Sequence, residues 1–166
     1  TLNRAEREFN YQQAMESLKA LVRDNPHEPA YQYELGQALA QIEFSGRSPL
    51  GRWRGNESRL RRASRIFEKL SDRYPTVPIY AVSTAQTHYR ISGVMLATNR
   101  TVLAREHLRD ALDVTRVLTR RFPDHVDYTT LHFRFYRSLL KSYRDDGDTV
   151  GVATVMKEVQ ADLAEL

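Results

Sequence analysis

The five histidines have the most versatile chemistry in this chain, because imidazole can bind a metal or carry a proton near neutral pH. They are His27, His88, His107, His125 and His132. A metal-binding helix commonly presents two histidines four residues apart, or a glutamate and a histidine three apart. Neither spacing occurs here, and His125 and His132, seven residues apart, have no acidic residue at a matching spacing. We therefore expect surface or joint histidines, no metal site and no cofactor.

Other catalytic signatures are missing from the sequence. Gly51 and Gly55 are not followed by the Lys-Ser or Lys-Thr pair of a phosphate-binding loop, and no Gly-x-Ser-x-Gly elbow occurs. The acidic run over residues 145–148 resembles the start of a calcium loop, but Glu158 misses the position of the distal ligand by two residues. The lack of cysteine excludes disulfides and thiol catalysis. The sequence predicts no catalytic residues, and we expect a protein that is not an enzyme.

Composition is that of an ordinary folded domain, with 41% hydrophobic and 28% charged residues in a chain of 166. No apolar run approaches the length of a membrane span and no signal peptide is visible, so we expect no membrane association and favour a cytoplasmic location. The chain starts at Thr1, which suggests a fragment of a longer protein. Most basic residues are arginine, which suits an anionic partner but is also typical of helix surfaces.

One short sequence recurs three times, at a spacing of 48–49 residues. The copies occupy residues 21–31, 70–80 and 118–128 and contain Pro26, Pro75 and Pro123. A small residue stands at a constant distance upstream of each proline, namely Ala14, Ala63 and Ala111. Such a period indicates stacked supersecondary units, and the alanines would let neighbouring helices approach closely.

Between the prolines, apolar residues fall at three- and four-residue steps, the pattern of helices buried on one face. We predict seven helices, over residues 2–24, 29–44, 57–73, 77–97, 102–121, 126–144 and 150–165. Each helix should end at the residue before a joint proline, and Pro29 and Pro78 fit the first turn of the next helix. The segment 45–56 contains several glycines and a proline and is predicted to be a loop. The other turns, which alternate with the proline joints, differ in sequence from one another.

Three segments carry a resemblance to tetratricopeptide repeats. The first-helix motif resembles Tyr136-x2-Leu139-Leu140-x2-Tyr143-x3-Gly147 and, less closely, Tyr89-x2-Ser92-Gly93-x2-Leu96, and the second-helix motif is similar to Ala104-x3-Leu108-x2-Ala111. The long period resembles the long-helix variety of large bacterial signalling proteins, some of them Ser/Thr kinases. The resemblance implies one all-α domain, a right-handed superhelix (α-solenoid) of antiparallel helix pairs. Its units would be a half repeat over 1–25 and repeats over 26–74, 75–122 and 123–166.

The resemblance also implies a concave face, lined by the first helix of each pair, that binds a peptide or partner protein. The polar residues at the matching positions are Gln37, Gln41, Gln86, Arg90, Arg134, Arg137, Lys141 and Arg144. The last four step by three, four and three residues and share one helix face, where an acidic or polar segment would compensate their charge. A solvated face screened by neighbouring aspartates explains the same pattern.

A second candidate surface is the basic segment Arg47–Arg73, with nine basic and three acidic residues. It contains the chain's one tryptophan within the run Arg52-Trp53-Arg54, and could bind nucleic acid through phosphate contacts and stacking. Alternatively Trp53 covers the repeat core, which we favour because one aromatic is too few for a stacking platform. A third hypothesis is a purely structural spacer or dimerisation segment. The identity of the partner and the oligomeric state stay open.

Overall fold

The computed structural model describes residues 4–41 and 49–165, and these ranges form seven helices and no strand. The helices are α1 (Arg4–Asp24), α2 (Pro29–Ala40), α3 (Pro49–Arg73), α4 (Pro78–Ala97), α5 (Thr101–Arg121), α6 (Val126–Asp145) and α7 (Thr149–Ala164). The prediction of an all-helical chain with seven helices is confirmed.

The three proline joints have the same backbone structure. In each, the residue before the proline follows the last helical residue, and its carbonyl accepts a hydrogen bond from the amide three residues on. The three bonds are Glu28 N to Asn25 O at 3.2 Å, Val77 N to Tyr74 O at 3.0 Å and His125 N to Phe122 O at 3.0 Å. Pro29 and Pro78 lie in the first turn of α2 and α4, where a missing N–H costs no hydrogen bond. The predicted helix ends at the joints are confirmed.

Two helix boundaries near the predicted loop were wrong. Helix α3 begins at Pro49 rather than at residue 57, so residues 49–56 are helical and not loop. Proline is favourable in a first turn, and Gly51 and Gly55 are tolerated in a helix at a cost of about 1 kcal/mol each. Helix α2 ends at Ala40, four residues earlier than predicted. The rest of the predicted loop, residues 45–48, lies outside the described residues.

Two arginines from other helices bind the carboxyl end of α2. Arg90 Nη1 on α4 donates to the carbonyl oxygen of Ala40 at 2.9 Å, and Arg59 Nη2 on α3 donates to that of Gln41 at 3.0 Å. The last carbonyls of a helix lack partners within the helix and carry its negative dipole end, so positive donors stabilise them. These contacts fix the point at which α2 ends.

The turns inside the last two units share one backbone geometry although their sequences differ. Asn99 and Gly147 have φ of 56° and 69°, in the left-handed region. The amide of the residue that follows each one bonds to the carbonyl five residues back, Arg100 N to Met95 O and Asp148 N to Tyr143 O, both at 2.9 Å. This is the Schellman helix ending, which glycine and asparagine adopt at least cost.

Each helix packs against the helices that precede and follow it in the sequence. Contacts between second neighbours divide the helices into two layers. In the layer of even-numbered helices, the rings of Tyr89 on α4 and Phe135 on α6 stack with centroids 5.1 Å apart. In the layer of odd-numbered helices, Arg109 on α5 pairs with Glu158 on α7 at 3.1 Å. The alternation follows from short joints, which make consecutive helices neighbours.

The repeated alanines have different environments. Ala63 and Ala111 are fully buried between helices, as predicted. Ala14 is exposed, which corrects the expectation of a close helix contact there, and Leu21 on the same helix is 40% exposed. Met15, the residue after Ala14 along α1, points into the core instead. Among the described helices α1 packs mainly against α2, and an apolar pattern cannot show how many neighbours a helix has.

One close helix contact involves a glycine that the motif comparison did not use. A Cβ added at Gly36 on α2 would lie 2.6 Å from Cε1 of Phe67 on α3, so only glycine admits this ring. At Gly93, the small residue of the resembling segment on α4, a Cβ would meet no atom within 4 Å. Ala85, which is fully buried, is the close-packing small residue of α4.

A buried polar network joins α5, α6 and α7. His132 is 1% exposed, with Nδ1 2.7 Å from Thr115 Oγ1 and Nε2 2.8 Å from Asp162 Oδ2. The Tyr136 hydroxyl donates to Asp162 at 2.7 Å, and Arg116 Nε donates to both oxygens of that carboxylate at 3.2 Å. His132 is thus neither a surface nor a joint residue, which corrects the expectation for it. Each of its ring nitrogens has a hydrogen-bond partner inside the core.

Burial and hydrogen bonding together set the pKa values of this network. It lowers the pKa of His132, although the hydrogen bond to Asp162 opposes that shift. Burial alone would raise the pKa of Asp162, but hydrogen bonds from Tyr136, His132 and Arg116 lower it overall. Burial also raises the pKa of Tyr136, to about 12. The folded chain therefore holds a neutral His132 that donates from Nε2 to an ionised Asp162.

We expect the free energy of unfolding to fall as the pH drops below about 6.5, the ordinary pKa of histidine. Because the folded pKa of His132 is lower, the unfolded chain binds the proton more readily, and the stabilisation present above that pH is lost on acidification. Asp162 adds a second loss below its ordinary pKa of 3.8. One proton gives a slope of up to about 1.4 kcal/mol per pH unit.

Urea unfolding between pH 7.5 and 5 measures this slope. His132→Gln keeps an N–H donor but cannot titrate, so its slope should be smaller than that of the natural chain. The matched control is His125→Gln, a substitution at an exposed residue, which should leave the slope unchanged. Equal slopes for the natural chain and His132→Gln would contradict the assignment.

Candidate functional site

A groove of about 540 Å³ lies between α4 and α6, in the layer of even-numbered helices. Ten residues from the first half of the two helices and the joint before α6 line it, namely Pro78, Ile79, Val82, Gln86, His125, Asp127, Tyr128, Thr130, Leu131 and Arg134. Its floor is apolar, with Ile79 left 46% exposed, and Gln86, Asp127 and Arg134 supply polar groups. An open apolar trough with a few placed polar groups suits a peptide side chain.

Both walls of the groove begin at a proline joint. Pro78 and Ile79 come directly after the joint at Pro75, and Val82 and Gln86 lie one and two turns further on the same side of α4. On the other wall His125 caps the start of α6, and its ring stacks on Tyr128 with centroids 4.4 Å apart. The repeated joint thus fixes where each wall starts, so the groove follows from the repeat.

Gln86 and Arg134, two of the eight predicted partner-binding residues, line this groove. The Arg134 guanidinium carbon lies 5.2 Å from the centroid of the Tyr89 ring and 5.7 Å from that of Phe135. Cation–π contacts of this kind orient an arginine without neutralising it. No acidic side chain of the described residues forms an ion pair with Arg134, so its charge is free to bind a ligand.

Two other predicted residues hold the even-numbered helices together. Gln37 Nε2 donates to the Tyr33 hydroxyl at 2.7 Å and to Ser83 Oγ on α4 at 3.2 Å. Arg90 binds the end of α2, as described above. Gln41 follows the last residue of α2 and is exposed. Gln37 and Arg90 therefore have structural partners, and none of the three lines the groove.

The remaining basic residues of α6 continue along its exposed side. Lys141 forms an ion pair with Asp145, so the predicted screening by an aspartate is present at that position. Arg137 and Arg144 are exposed, and no acidic group of residues 4–41 and 49–165 pairs with them. Arg144 lies ten residues from Arg134, about 15 Å along the helix. The predicted stripe therefore exists, but only its first member reaches the groove.

The basic segment Arg47–Arg73 is only partly described. The side chains of Arg47, Arg52, Trp53 and Arg54 lie outside the described residues, and so does the predicted role of Trp53. Within the described part, Arg61 pairs with Glu57 at 3.0 Å, and Arg59 packs over the Tyr11 ring at 4.8 Å while binding the end of α2. These two arginines have roles inside the fold.

Sequence reasoning missed the apolar floor of the groove, which consists of Ile79, Val82 and Leu131 with Tyr128 beside it. A signal for it was present. Ile79, which follows Pro78, and Tyr128 both belong to the repeated joint sequence. The groove itself depends on how α4 and α6 pack, which helical periodicity within one helix does not reveal.

Thr115, His132 and Asp162 lie in the order hydroxyl, imidazole and carboxylate, which is also the order of a hydrolase relay. Thr115 is fully buried and His132 is 1% exposed. A substrate cannot reach a hydroxyl enclosed between three helices. These three residues satisfy one another's hydrogen bonds in the core, and they present no nucleophile at the surface.

A search of protein-family models found none that matches the chain, and a search of curated proteins found no significant match. Within the described residues no helix is both long enough and apolar enough to cross a membrane.

Proposed function

We propose that this chain is a tetratricopeptide-like α-solenoid that binds an extended acidic peptide segment of a partner protein in the groove between α4 and α6. The observation that carries this proposal is the groove itself, which unites an apolar floor with Gln86 and Arg134. Three identical joints and two alternating helix layers support the solenoid part of the proposal. A binding role, and not catalysis, fits these features.

Arg134 supplies the charge selectivity. Its guanidinium packs over aromatic rings at the groove and has no acidic partner among the described residues. A carboxylate or phosphate of the ligand would form an ion pair with it. Asp127, also at the groove, lies in the first turn of α6, where a negative charge complements the helix dipole. Arg137 extends the positive surface beyond the groove for further acidic residues of the ligand.

Binding would cost little ordering entropy, because the groove is formed by packed helices before a ligand arrives. An apolar side chain of the peptide would occupy the floor, covering Ile79, Val82 and Leu131. Gln86 would hydrogen-bond to the peptide backbone, since an amide side chain both donates and accepts. Apolar burial would provide affinity, and the polar groups would fix register and direction.

Charge reversal at the groove tests this proposal. A library of ten-residue peptides containing Leu or Ile flanked by Asp, Glu or phosphoserine is screened, and the tightest peptide is titrated by fluorescence polarisation. Arg134→Glu should weaken binding about 2- to 30-fold, because a lost attraction and a gained repulsion are each worth about 0.2–1 kcal/mol at an exposed site. The loss should shrink at high salt.

The matched control is Arg144→Glu, the same change on an exposed residue of the same helix outside the groove. It should change affinity less than Arg134→Glu does. A second variant, Ile79→Asp, places an acid on the half-exposed floor and should also weaken binding. Equal effects of the two charge reversals, or no effect of Ile79→Asp, would place the peptide elsewhere.

A nucleic-acid role for the segment Arg47–Arg73 is not proposed, since one tryptophan is too few for a stacking platform and two of the described arginines, Arg59 and Arg61, bind within the fold. Arg62 and Arg65 are exposed. Retention of RNA or DNA on a filter at low salt would revive that alternative.

A further inference from the structure

Two histidines and an aspartate from different helices bring their side-chain ligand atoms together between α4 and α5. His88 Nδ1 lies 3.1 Å from His107 Nδ1 and 3.3 Å from Asp110 Oδ2, and His107 Nδ1 lies 3.5 Å from the same oxygen. His107 and Asp110 are one turn apart on α5, and His88 comes from α4. Because two helices contribute, no spacing along one helix predicts this cluster.

Two of the three distances match one face of a tetrahedral metal site, and the third, 3.1 Å between the two Nδ1 atoms, is slightly shorter. Histidine nitrogen and carboxylate oxygen bind Zn²⁺ at about 2.0–2.2 Å, which places ligand atoms of a regular tetrahedron about 3.3–3.6 Å apart. Without an ion, a single proton must lie between the two Nδ1 atoms, and the carboxylate competes for it. A divalent ion would be coordinated by all three groups at once.

A second, independent feature orients His88 for this role. Its other ring nitrogen, Nε2, lies 3.2 Å from Glu68 Oε1 on α3, and the Ser64 hydroxyl donates to that carboxylate oxygen at 2.5 Å. A proton on Nε2 that is donated to Glu68 leaves the lone pair on Nδ1, which points at the cluster. Metal-binding histidines are typically oriented by a carboxylate in this way.

The cluster is open to ions on one side. The side chains of His88 and His107 are 13% and 17% exposed, and that of Asp110 is 53% exposed. A half-exposed aspartate is ordinarily ionised near neutral pH, so the carboxylate of Asp110 is in its ligand form. Three protein ligands leave one tetrahedral position for water or for a group of another molecule.

We propose that His88, His107 and Asp110 form a binding site for a divalent transition-metal ion of the zinc type, with Glu68 as the residue that positions His88. The ion would clamp α4 to α5. His88 is two residues beyond Gln86, about 200° around α4, so the site lies away from the peptide groove and does not depend on the proposed function.

Titration with Co²⁺ tests this site, since tetrahedral Co²⁺ absorbs visible light and Zn²⁺ displaces it. The chain is used without an affinity tag. We expect one ion per chain, a visible band abolished by Zn²⁺, and a melting temperature that rises with added Zn²⁺. His107→Ala and Asp110→Asn should lose the band, and Glu68→Gln should weaken binding about 10- to 100-fold.

The control is the double variant His27→Ala/His125→Ala, which lacks the two histidines of the joints. It should bind Co²⁺ as tightly as the natural chain does. Circular dichroism without metal checks that each variant is folded. Asp110 is half exposed, so Asp110→Asn keeps the test valid if a histidine variant fails to fold. A natural chain without a visible band, or a band that survives both ligand substitutions, would overturn the proposal.

Discussion

Replacing Asp162 by alanine should cost about 3–5 kcal/mol of unfolding free energy, the largest effect we expect from any single polar substitution in the described residues. The carboxylate accepts hydrogen bonds from His132, Tyr136 and Arg116 and is 11% exposed. Its loss would leave three donors in or beside the core without their acceptor, and each buried group without a partner costs about 1–3 kcal/mol. Urea unfolding at pH 7.5 measures the change.

Asp113 provides a matched control for this substitution. It pairs with the same arginine, Arg116, at 2.8 Å, but its side chain is 72% exposed. Asp113→Ala should cost less than about 1 kcal/mol, as surface ion pairs do. Because the hydrogen bonds of Asp162 join α7 to α5 and α6, hydrogen exchange should show protection lost first in α7 of the Asp162→Ala variant. Equal costs for the two substitutions would contradict the role given to the buried network.

The second large effect is expected at Phe67, whose replacement by alanine should cost about 3–5 kcal/mol. Its side chain is 1% exposed, its ring lies 5.7 Å from the Tyr33 ring, and it fills the space that Gly36 leaves between α2 and α3. Removing the ring leaves a cavity between α2 and α3, inside the buried apolar core. Thermal and urea unfolding would measure the loss.

Phe9→Ala is the control, because Phe9 is 61% exposed and the same atoms are removed. It should change stability by less than about 0.5 kcal/mol. A double-mutant cycle with Gly36→Leu sharpens the test. That substitution alone should destabilise by about 1–3 kcal/mol through overpacking, but less when Phe67 is already alanine. Strictly additive effects would show that the two residues do not share this space.

The helices and joints could be predicted because their causes are local. A proline disfavours helical geometry in the residue before it, and the same residue types at Pro26, Pro75 and Pro123 give the same turn each time. The error over residues 49–56 has the opposite origin. There the glycine and proline content predicted a loop, but a proline in the first turn starts a helix and two glycines do not prevent one.

The candidate sites could be predicted only in part, because they form between helices. Gln86 and Arg134 were found since the resemblance places them on first helices, but the same rule also selected Gln37 and Arg90, which hold helices together. Which polar residue lines a groove depends on the packing of α4 against α6. The cluster around His88 likewise depends on the contact between α4 and α5, which one-helix spacing cannot show.

The most direct test of peptide binding between α4 and α6 is an NMR titration of the methyl-labelled chain with the tightest acidic peptide. We expect the methyl signals of Ile79, Val82 and Leu131 to shift together with the side-chain amide of Gln86, while those of Val155 on α7 stay in place. Saturable shifts confined to the odd-numbered helices, with the four groove signals unchanged, would contradict binding in this groove.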